Sequence, residues 1–184
     1  MRVIAGIAKG HPLKAPKGRG TRPTADRVRE SLFNVLAVRV PDALVLDGFA
    51  GTGALGIEAL SRGAGTAVFV EQDAAVAAII HANLQHTGLL EHAVVLVQDV
   101  AQTARYAARG PFDLIFLDPP YDRGWVERLL ALFGSGDLLA AAGLLMLEHS
   151  RREATPATAG NLERVRQLTY GDTVISLFRG RQGQ

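Results

Sequence analysis

The stretch "ALVLDGFAGTGALGIEALSRG", residues 43–63, joins a short apolar run to a glycine-rich turn and then to a helical pattern. Its first residues have the composition of a buried strand, and the glycines mark a tight turn. Gly63 stands where a helix C-cap is expected. A strand that passes directly into a helix is the repeating unit of a parallel α/β sheet.

The same order of strand and helix continues to residue 149. Further strands are predicted at 66–71, 93–99, 112–118 and 143–149, and further helices at 73–88, 100–110 and 125–133. The strands are almost continuously apolar, as in sheets that are covered on both faces. Residues 161–180 have the pattern of two strands joined by the turn "YGDT". The sequence therefore predicts a Rossmann-like, doubly wound, mostly parallel sheet that ends in an antiparallel hairpin.

Composition limits the classes of protein that this chain can belong to. Its 184 residues are 48% apolar and include no cysteine, which fits one globular domain and excludes disulfides and thiolate metal sites. No apolar run reaches the roughly 18 residues of a membrane span, and the start of the chain lacks a signal-peptide pattern. The five histidines show no ligand spacing, so no metal is predicted. We expect a cytoplasmic protein without a membrane partner.

Positive charge is concentrated at the N-terminus. Residues 1–40 hold nine Lys and Arg against two acidic residues, whereas the rest of the chain is net negative. Within this region, residues 1–23 are predicted to form a basic β-hairpin and a linker, and residues 24–184 the main domain. The charge alone fits a solvated tail and a phosphate-binding arm equally well.

A carboxylate stands at the end of four consecutive predicted strands. These residues are Asp47, Glu71, Asp99 and Asp118. Ligands of open α/β sheets bind outside the carboxyl ends of the strands. Any one of these acids could be a helix cap or a solvated side chain, but four in equivalent positions favour a ligand site.

The glycines after Asp47 fit two kinds of cofactor site. Gly51, Gly53 and Gly56 match the GxGxxG pattern of dinucleotide-binding proteins, so an NAD-linked oxidoreductase is one alternative. An anionic Asp47 would repel a pyrophosphate, however, and suits a ligand that carries an ammonium group. A sulfonium cofactor with an amino-acid tail meets that requirement, with its ribose hydroxyls on Glu71 and its adenine amino group on Asp99.

The motif "DPPY" follows the predicted strand 112–118. The Asp118 carboxylate and the Pro119 carbonyl can accept hydrogen bonds from an exocyclic amine, and neither Pro119 nor Pro120 has a backbone N–H. Tyr121 could stack on a planar base. A type I turn that ends a strand is the structural alternative for this motif. Its combination with the glycine loop and the other strand-end acids favours a site where a methyl group is transferred to an amine.

The chain resembles the RsmD family of 16S ribosomal RNA guanine-N2 methyltransferases, which use S-adenosylmethionine and have the class I methyltransferase fold. The resemblance covers nearly the whole chain. It rests on "RVIAG" and "KG" at the start, "TRPTADRVRESLFNVL" (21–36), "LDGFAGTGALGIEALSRGA" (46–64), "VFVEQD" (68–73), "LDPPY" (117–121) and "YGDTVISLFR" (170–179). The motif "DPPY" is shared by many amino-group methyltransferases, whereas "RPTADRVRE" is much more specific.

The resemblance implies a role for particular residues. The cofactor loop would comprise Asp47, Phe49, Ala50, Gly51 and Gly53, with Glu71 at the ribose and Asp99 and Val100 at the adenine. The target-base pocket would comprise Asp118, Pro119, Pro120 and Tyr121, and the RNA-seating residues Lys17, Arg22 and Arg27. The implied partner is 16S ribosomal RNA or the small ribosomal subunit, bound by a monomer.

Other functions use the same features. An adenine or protein-amide amino methyltransferase would present the same "DPPY" edge, and an RNA-binding assembly factor that has lost catalysis would keep the basic N-terminus. The four strand-end acids argue against the loss of catalysis.

Overall fold

The structure is a computed structural model that describes residues 1–16 and 23–181. The chain divides into two compact units, Met1–Gln102 and Thr103–Gln184. The expected division into residues 1–23 and 24–184 stays a prediction, and its linker residues 17–22 lie outside the described residues. None of the helices in the described part of the chain is long and apolar enough to cross a membrane.

The first unit contains a three-stranded parallel sheet. Its elements are α1 (Pro23–Leu36), β1 (Leu44–Asp47), α2 (Ala54–Ser61), β2 (Thr66–Glu71), α3 (Ala74–Thr87) and β3 (Ala93–Val97), with short 3-10 turns at Ala37–Arg39 and Leu90–His92. Strand β2 pairs in parallel with β1 on one side and with β3 on the other. Residues 67–70 of this central strand are buried, as the apolar run predicted. Helix α3 begins after the capping side chain of Asp73 and ends at the left-handed Gly88.

The second unit begins with parallel strands and ends with antiparallel ones. Its elements are α4 (Ala104–Ala107), β4 (Phe112–Leu117), α5 (Trp125–Gly134), β5 (Leu139–Ser150), β6 (Thr158–Ala159), β7 (Leu162–Tyr170) and β8 (Thr173–Gly180). Strand β4 pairs in parallel with β5, whereas β5 with β8, β8 with β7, and β7 with β6 are antiparallel. The predicted fold class and the predicted final hairpin are confirmed.

Two elements differ from their predicted bounds by more than two residues at one or both ends. The helix expected at 100–110 is only Ala104–Ala107, because side chains complete a turn before it. Asp99 accepts the N–H of Ala101 at 2.8 Å, and Gln98 donates to the carbonyl of Gln102 at 2.7 Å. Strand β5 begins at residue 139 rather than 143. The alanine-rich residues at its start have low strand propensity, but they become part of the strand because β5 already pairs with β4 at Leu139.

The predicted N-terminal hairpin contains one antiparallel bridge, between Arg2 and Pro12. Backbone hydrogen bonds on either side join Val3 to His11 at 3.0 Å and Leu13 to Met1 at 3.1 Å. The segment is therefore a hairpin-like loop rather than two regular strands.

A buried carboxylate on α2 holds this N-terminal segment. Glu58, which is 1% exposed, accepts the backbone N–H groups of Ile4 at 2.8 Å and Ala5 at 3.0 Å. The same carboxylate forms ion pairs with Arg62 at 2.7 Å and with Arg29 at 3.8 Å. Such a charge is tolerated in the interior because its oxygens are paired and hydrogen-bonded.

Replacement of Glu58 tests the importance of this anchor. We expect Glu58→Ala to lower the free energy of unfolding by about 3 to 5 kcal/mol, because it removes the acceptor of the Ile4 and Ala5 N–H groups and leaves the buried Arg29 with Asp26 as its carboxylate partner. Urea unfolding followed by circular dichroism measures the change. The control Glu30→Ala removes an exposed acid from α1 and should change the free energy by less than about 0.5 kcal/mol. Equal stability of the two variants would contradict this role of Glu58.

Candidate functional site

The β1–α2 connection requires glycine at one position for its backbone conformation and at another for helix packing. Gly53 precedes α2 with a φ of 77°, in the left-handed region. Gly56 lies in the first turn of α2, where a Cβ atom would approach the Phe69 ring of β2 to 2.3 Å. The first glycine permits the turn and the second permits close packing of α2 on the sheet.

Asp47 at the end of β1 is buried beneath this loop. It is 2% exposed, and its Oδ2 atom accepts the N–H of Gly56 at 3.0 Å. Burial raises the pKa of Asp47 to about 7; the Gly56 hydrogen bond opposes this rise, and the neighbouring Glu71 charge adds to it. The carboxylate thus occupies the N-terminal end of α2, where a negative charge is favoured by the helix dipole.

Glu71 at the end of β2 is half-buried and holds the backbone on both sides of it. One carboxylate oxygen accepts the N–H of Gly51 at 3.0 Å, and the other accepts the N–H of Asp73 at 3.0 Å. A carboxylate has about four acceptor sites, so these two hydrogen bonds leave capacity for ligand hydroxyl groups.

The other predicted cofactor residues of this unit flank these carboxylates. The N–H of Ala50 donates to Val70 of β2 at 3.1 Å, and Phe49 beside it is half-buried. Asp99 is half-buried after β3, with one oxygen on the N–H of Ala101, and Val100 is 3% exposed. Asp47, Glu71 and Asp99 therefore stand at the carboxyl ends of three adjacent parallel strands, as predicted.

The motif "DPPY" follows β4 in the second unit. Leu114, Ile115, Phe116 and Leu117 are buried, whereas Asp118 is exposed. Pro119 is buried and Pro120 is exposed. The chain thus presents a carboxylate as soon as it leaves the core, followed by two residues that cannot donate a backbone hydrogen bond.

Tyr121 is tied to two other strands of the second unit by its hydroxyl group. The hydroxyl donates a hydrogen bond to Glu148 of β5 and lies 3.2 Å from the hydroxyl oxygen of Thr173 in β8. Burial and the adjacent Glu148 charge raise the pKa of Tyr121, and burial raises the pKa of Glu148. These bonds fix the hydroxyl end of the ring, and the predicted stacking on a base stays a prediction.

The predicted RNA-seating residues are placed only in part. Lys17 and Arg22 lie outside the described residues. Arg27 is exposed on α1, and Glu30 on the same helix is also exposed. Among the described ion pairs there is none between Arg27 and Glu30.

The family model described as "Conserved hypothetical protein 95" matches residues 1–179. The "Ribosomal RNA small subunit methyltransferase D" of Escherichia coli (strain K12) is 37% identical over 186 residues, which covers 100% of this chain and 92% of that protein. The chain belongs to the RsmD family. The resemblance in the sequence motifs is thereby confirmed.

Two further proteins are similar to this RsmD-family chain over its length. The "Putative rRNA methyltransferase YlbH" of Bacillus subtilis (strain 168) is 40% identical over 183 residues, covering 98% of this chain and 100% of that protein. A solved structure described as "Putative methyltransferase yhhF from Escherichia coli" is 37% identical and has a TM-score of 0.85, covering 98% of each chain. These three matches cover 98 to 100% of this chain, so the similarity includes the N-terminal segment.

Sequence reasoning missed three polar residues around the RsmD-family motifs. Glu58 and Asn83 are buried in the apolar helices α2 and α3, and Glu148 receives the Tyr121 hydroxyl. A single acid or amide inside an apolar helical pattern is a detectable signal, because it is buried only if it finds partners. The identity of those partners is not visible in the sequence.

The raised pKa of Asp47 predicts a dependence of stability on pH. Between about pH 4 and pH 7 the folded state binds a proton that the unfolded state has released, so stability falls as the pH rises through this window. The slope from one proton is at most about 1.4 kcal/mol per pH unit. Asp47→Asn keeps an acceptor for Gly56 and removes the titration. Urea unfolding from pH 4.5 to 7.5 should show wild type losing stability relative to this variant, and parallel curves would contradict the assignment.

The contacts of Tyr121 predict an energetic coupling with Glu148. Tyr121→Phe should lower the free energy of unfolding by about 1 to 3 kcal/mol, since it leaves the partly buried Glu148 without its donor. In a double-mutant cycle with Glu148→Leu, which removes the acceptor, the coupling energy should exceed about 0.5 kcal/mol. Thr173→Val removes only the longer contact and should lower the free energy of unfolding by less than Tyr121→Phe does. An additive cycle would show that the hydrogen bond does not stabilise this end of the motif.

Proposed function

We propose that this chain transfers a methyl group from S-adenosylmethionine to the exocyclic N2 atom of a guanine in 16S ribosomal RNA. The observation that carries the proposal is the acceptor edge at the end of β4, where an exposed carboxylate follows a buried strand and precedes two prolines. Membership of the RsmD family, with full-length relatives named as ribosomal RNA methyltransferases, supports the substrate class.

The acceptor edge suits an amine whose lone pair is delocalised into a base. The Asp118 carboxylate and the Pro119 carbonyl would each accept a hydrogen bond from the N–H groups of the amine, which localises the lone pair on nitrogen and orients it. Positioning of this kind is a large part of catalysis when the other substrate is already reactive. Because the hydroxyl of Tyr121 is held by Glu148, its ring would offer a fixed surface for stacking.

The first unit has a set of hydrogen-bond acceptors that fits the cofactor. S-adenosylmethionine would supply the methyl group as an electrophilic sulfonium. Glu71, which fixes the loop, would accept hydrogen bonds from two ribose hydroxyls, and Asp99, which follows the adjacent strand, would accept one from the adenine amino group. The Asp47 carboxylate, which is bonded to Gly56, would provide a negative charge for the ammonium group of the cofactor's amino-acid tail.

The position of Asp47 also disfavours the NAD-linked alternative. The N–H of Gly56 in the first turn of α2 donates to Asp47. Dinucleotide-binding loops use the N-terminus of this helix for a pyrophosphate. A buried carboxylate at that helix end would repel such a group.

The target base has to be accessible to this edge. Stacking and pairing hide the N2 atom in a duplex, so the guanine must be unpaired or flipped out of its helix. A folded RNA with an exposed loop, or the same RNA in a small ribosomal subunit, would satisfy this requirement.

Methyl transfer from labelled S-adenosylmethionine tests the proposal directly. The acceptors compared are unmethylated small ribosomal subunits, naked 16S RNA and duplex DNA, and the product is hydrolysed for nucleoside analysis. We expect N2-methylguanosine from the subunits or the 16S RNA and no label in DNA. Methyladenosine, or label in none of the three, would contradict the proposed substrate.

Replacement of Asp118 separates catalysis from cofactor binding. Asp118→Ala should lower turnover at least about a hundredfold, because it removes the acceptor that orients the amine. The dissociation constant of S-adenosylhomocysteine, measured by calorimetry, should change less than about twofold. Asp137→Ala, which removes another exposed carboxylate of the same unit, is the matched control. Equal loss of turnover and cofactor affinity in Asp118→Ala would contradict the role assigned to Asp118.

A further inference from the structure

Asn83 lies in α3 and is 1% exposed, so its amide group must find partners within the protein. Its Oδ1 atom accepts the backbone N–H of Lys14 at 2.8 Å. Its Nδ2 atom donates to the carbonyl of Lys14 at 3.0 Å and to the carbonyl of Thr52 at 2.9 Å. One side chain therefore bonds to two segments that are 38 residues apart in the sequence.

The partners of Asn83 determine the chemical nature of this residue. A backbone N–H can only donate and the two carbonyls can only accept, so the position needs one acceptor and two donors on a short side chain. An amide meets this requirement and has a single orientation there. A carboxylate of the same size would face two carbonyl oxygens to which it cannot donate. An apolar side chain would leave all three backbone groups without their side-chain hydrogen bond.

The two segments joined by Asn83 have different roles in the proposed function, one in cofactor binding and the other in RNA binding. Thr52 lies between Gly51 and Gly53 in the loop proposed to hold the cofactor. Lys14 is near the end of the anchored N-terminal segment, immediately before the basic stretch that begins at Lys17.

A second contact joins the same two segments. The hydroxyl of Thr52 donates to the sulfur of Met1 at 3.6 Å, and the carbonyl of Met1 accepts the N–H of Leu13. Both the main chain and the side chain of Thr52 are thus tied, directly or through Asn83, to the N-terminal segment.

We propose that Asn83 is a positioning residue that couples the cofactor loop to the N-terminal segment, so that binding of the cofactor and binding of RNA strengthen each other. The inference rests on the proposed function. A cofactor that fixes the loop also fixes the Thr52 carbonyl and, through Asn83, the backbone at Lys14. The N-terminal segment, on which Lys9 and Lys14 are exposed, then loses less conformational freedom when RNA binds to it. Thermodynamic linkage requires that RNA improve cofactor affinity by the same factor.

The coupling factor is the measurement that tests this inference. It is the ratio of the dissociation constants of S-adenosylhomocysteine, by calorimetry, in the absence and presence of saturating unmethylated small ribosomal subunits. We expect a factor of about five or more for wild type and a factor near one for Asn83→Ala. Asn83→Asp should resemble Asn83→Ala, because it retains the acceptor and loses both donors. Gln85→Ala removes an exposed amide from the same helix and should keep the wild-type factor.

A purely structural role for Asn83 would give a different result. In that case Asn83→Ala would change the stability, or would change the dissociation constants of S-adenosylhomocysteine with and without subunits by the same factor. The coupling factor would then be unchanged, and that outcome overturns the proposal. A wild-type factor of one also overturns it. If Asn83→Ala does not fold, Thr52→Val serves instead, since it removes only the hydroxyl contact with Met1 and should reduce the factor in part. Absence of any S-adenosylhomocysteine binding to wild type would instead refute the proposed function, and the coupling with it.

Discussion

The hydrogen bond from Gly56 to the buried carboxylate of Asp47 joins the end of β1 to the first turn of α2, and the glycine loop between them depends on it. The negative charge is favourable at that helix end, although burial disfavours its ionisation. Glu71 supports the same loop from the neighbouring strand through the N–H of Gly51. Two carboxylates from adjacent strands thus hold the backbone on either side of Thr52, at Gly51 and at Gly56.

In the second unit, the strand end is supported by the antiparallel hairpin that follows it. The prolines of the "DPPY" motif remove two backbone donors, while the hydroxyl of Tyr121 bonds to Glu148 in β5 and Thr173 in β8. The final hairpin therefore contributes a contact to the "DPPY" motif through Thr173 of β8. Together with β5, it fixes the hydroxyl end of the residue proposed to lie against the target base.

The N-terminal segment is integrated into the first unit to a degree that its composition does not suggest. Basic residues, glycines and prolines predicted an arm with a linker, but Glu58 and Asn83 bind its backbone from two helices. Each of these polar side chains would destabilise its apolar helix if it lacked partners. The partners are main-chain groups more than 50 residues away, so no local pattern could identify them.

The sequence by itself determined the order of strands and helices, the glycine loop and the strand-end positions of Asp47, Glu71 and Asp99. These features follow from local hydrophobic periodicity and from the rule that parallel strands end at one edge of their sheet. The tertiary structure decided which groups those acids bind, the shortness of α4, the early start of β5 and the contacts of Tyr121 and Asn83. Such contacts depend on strand register and helix packing, which bring distant segments together and can override local propensity.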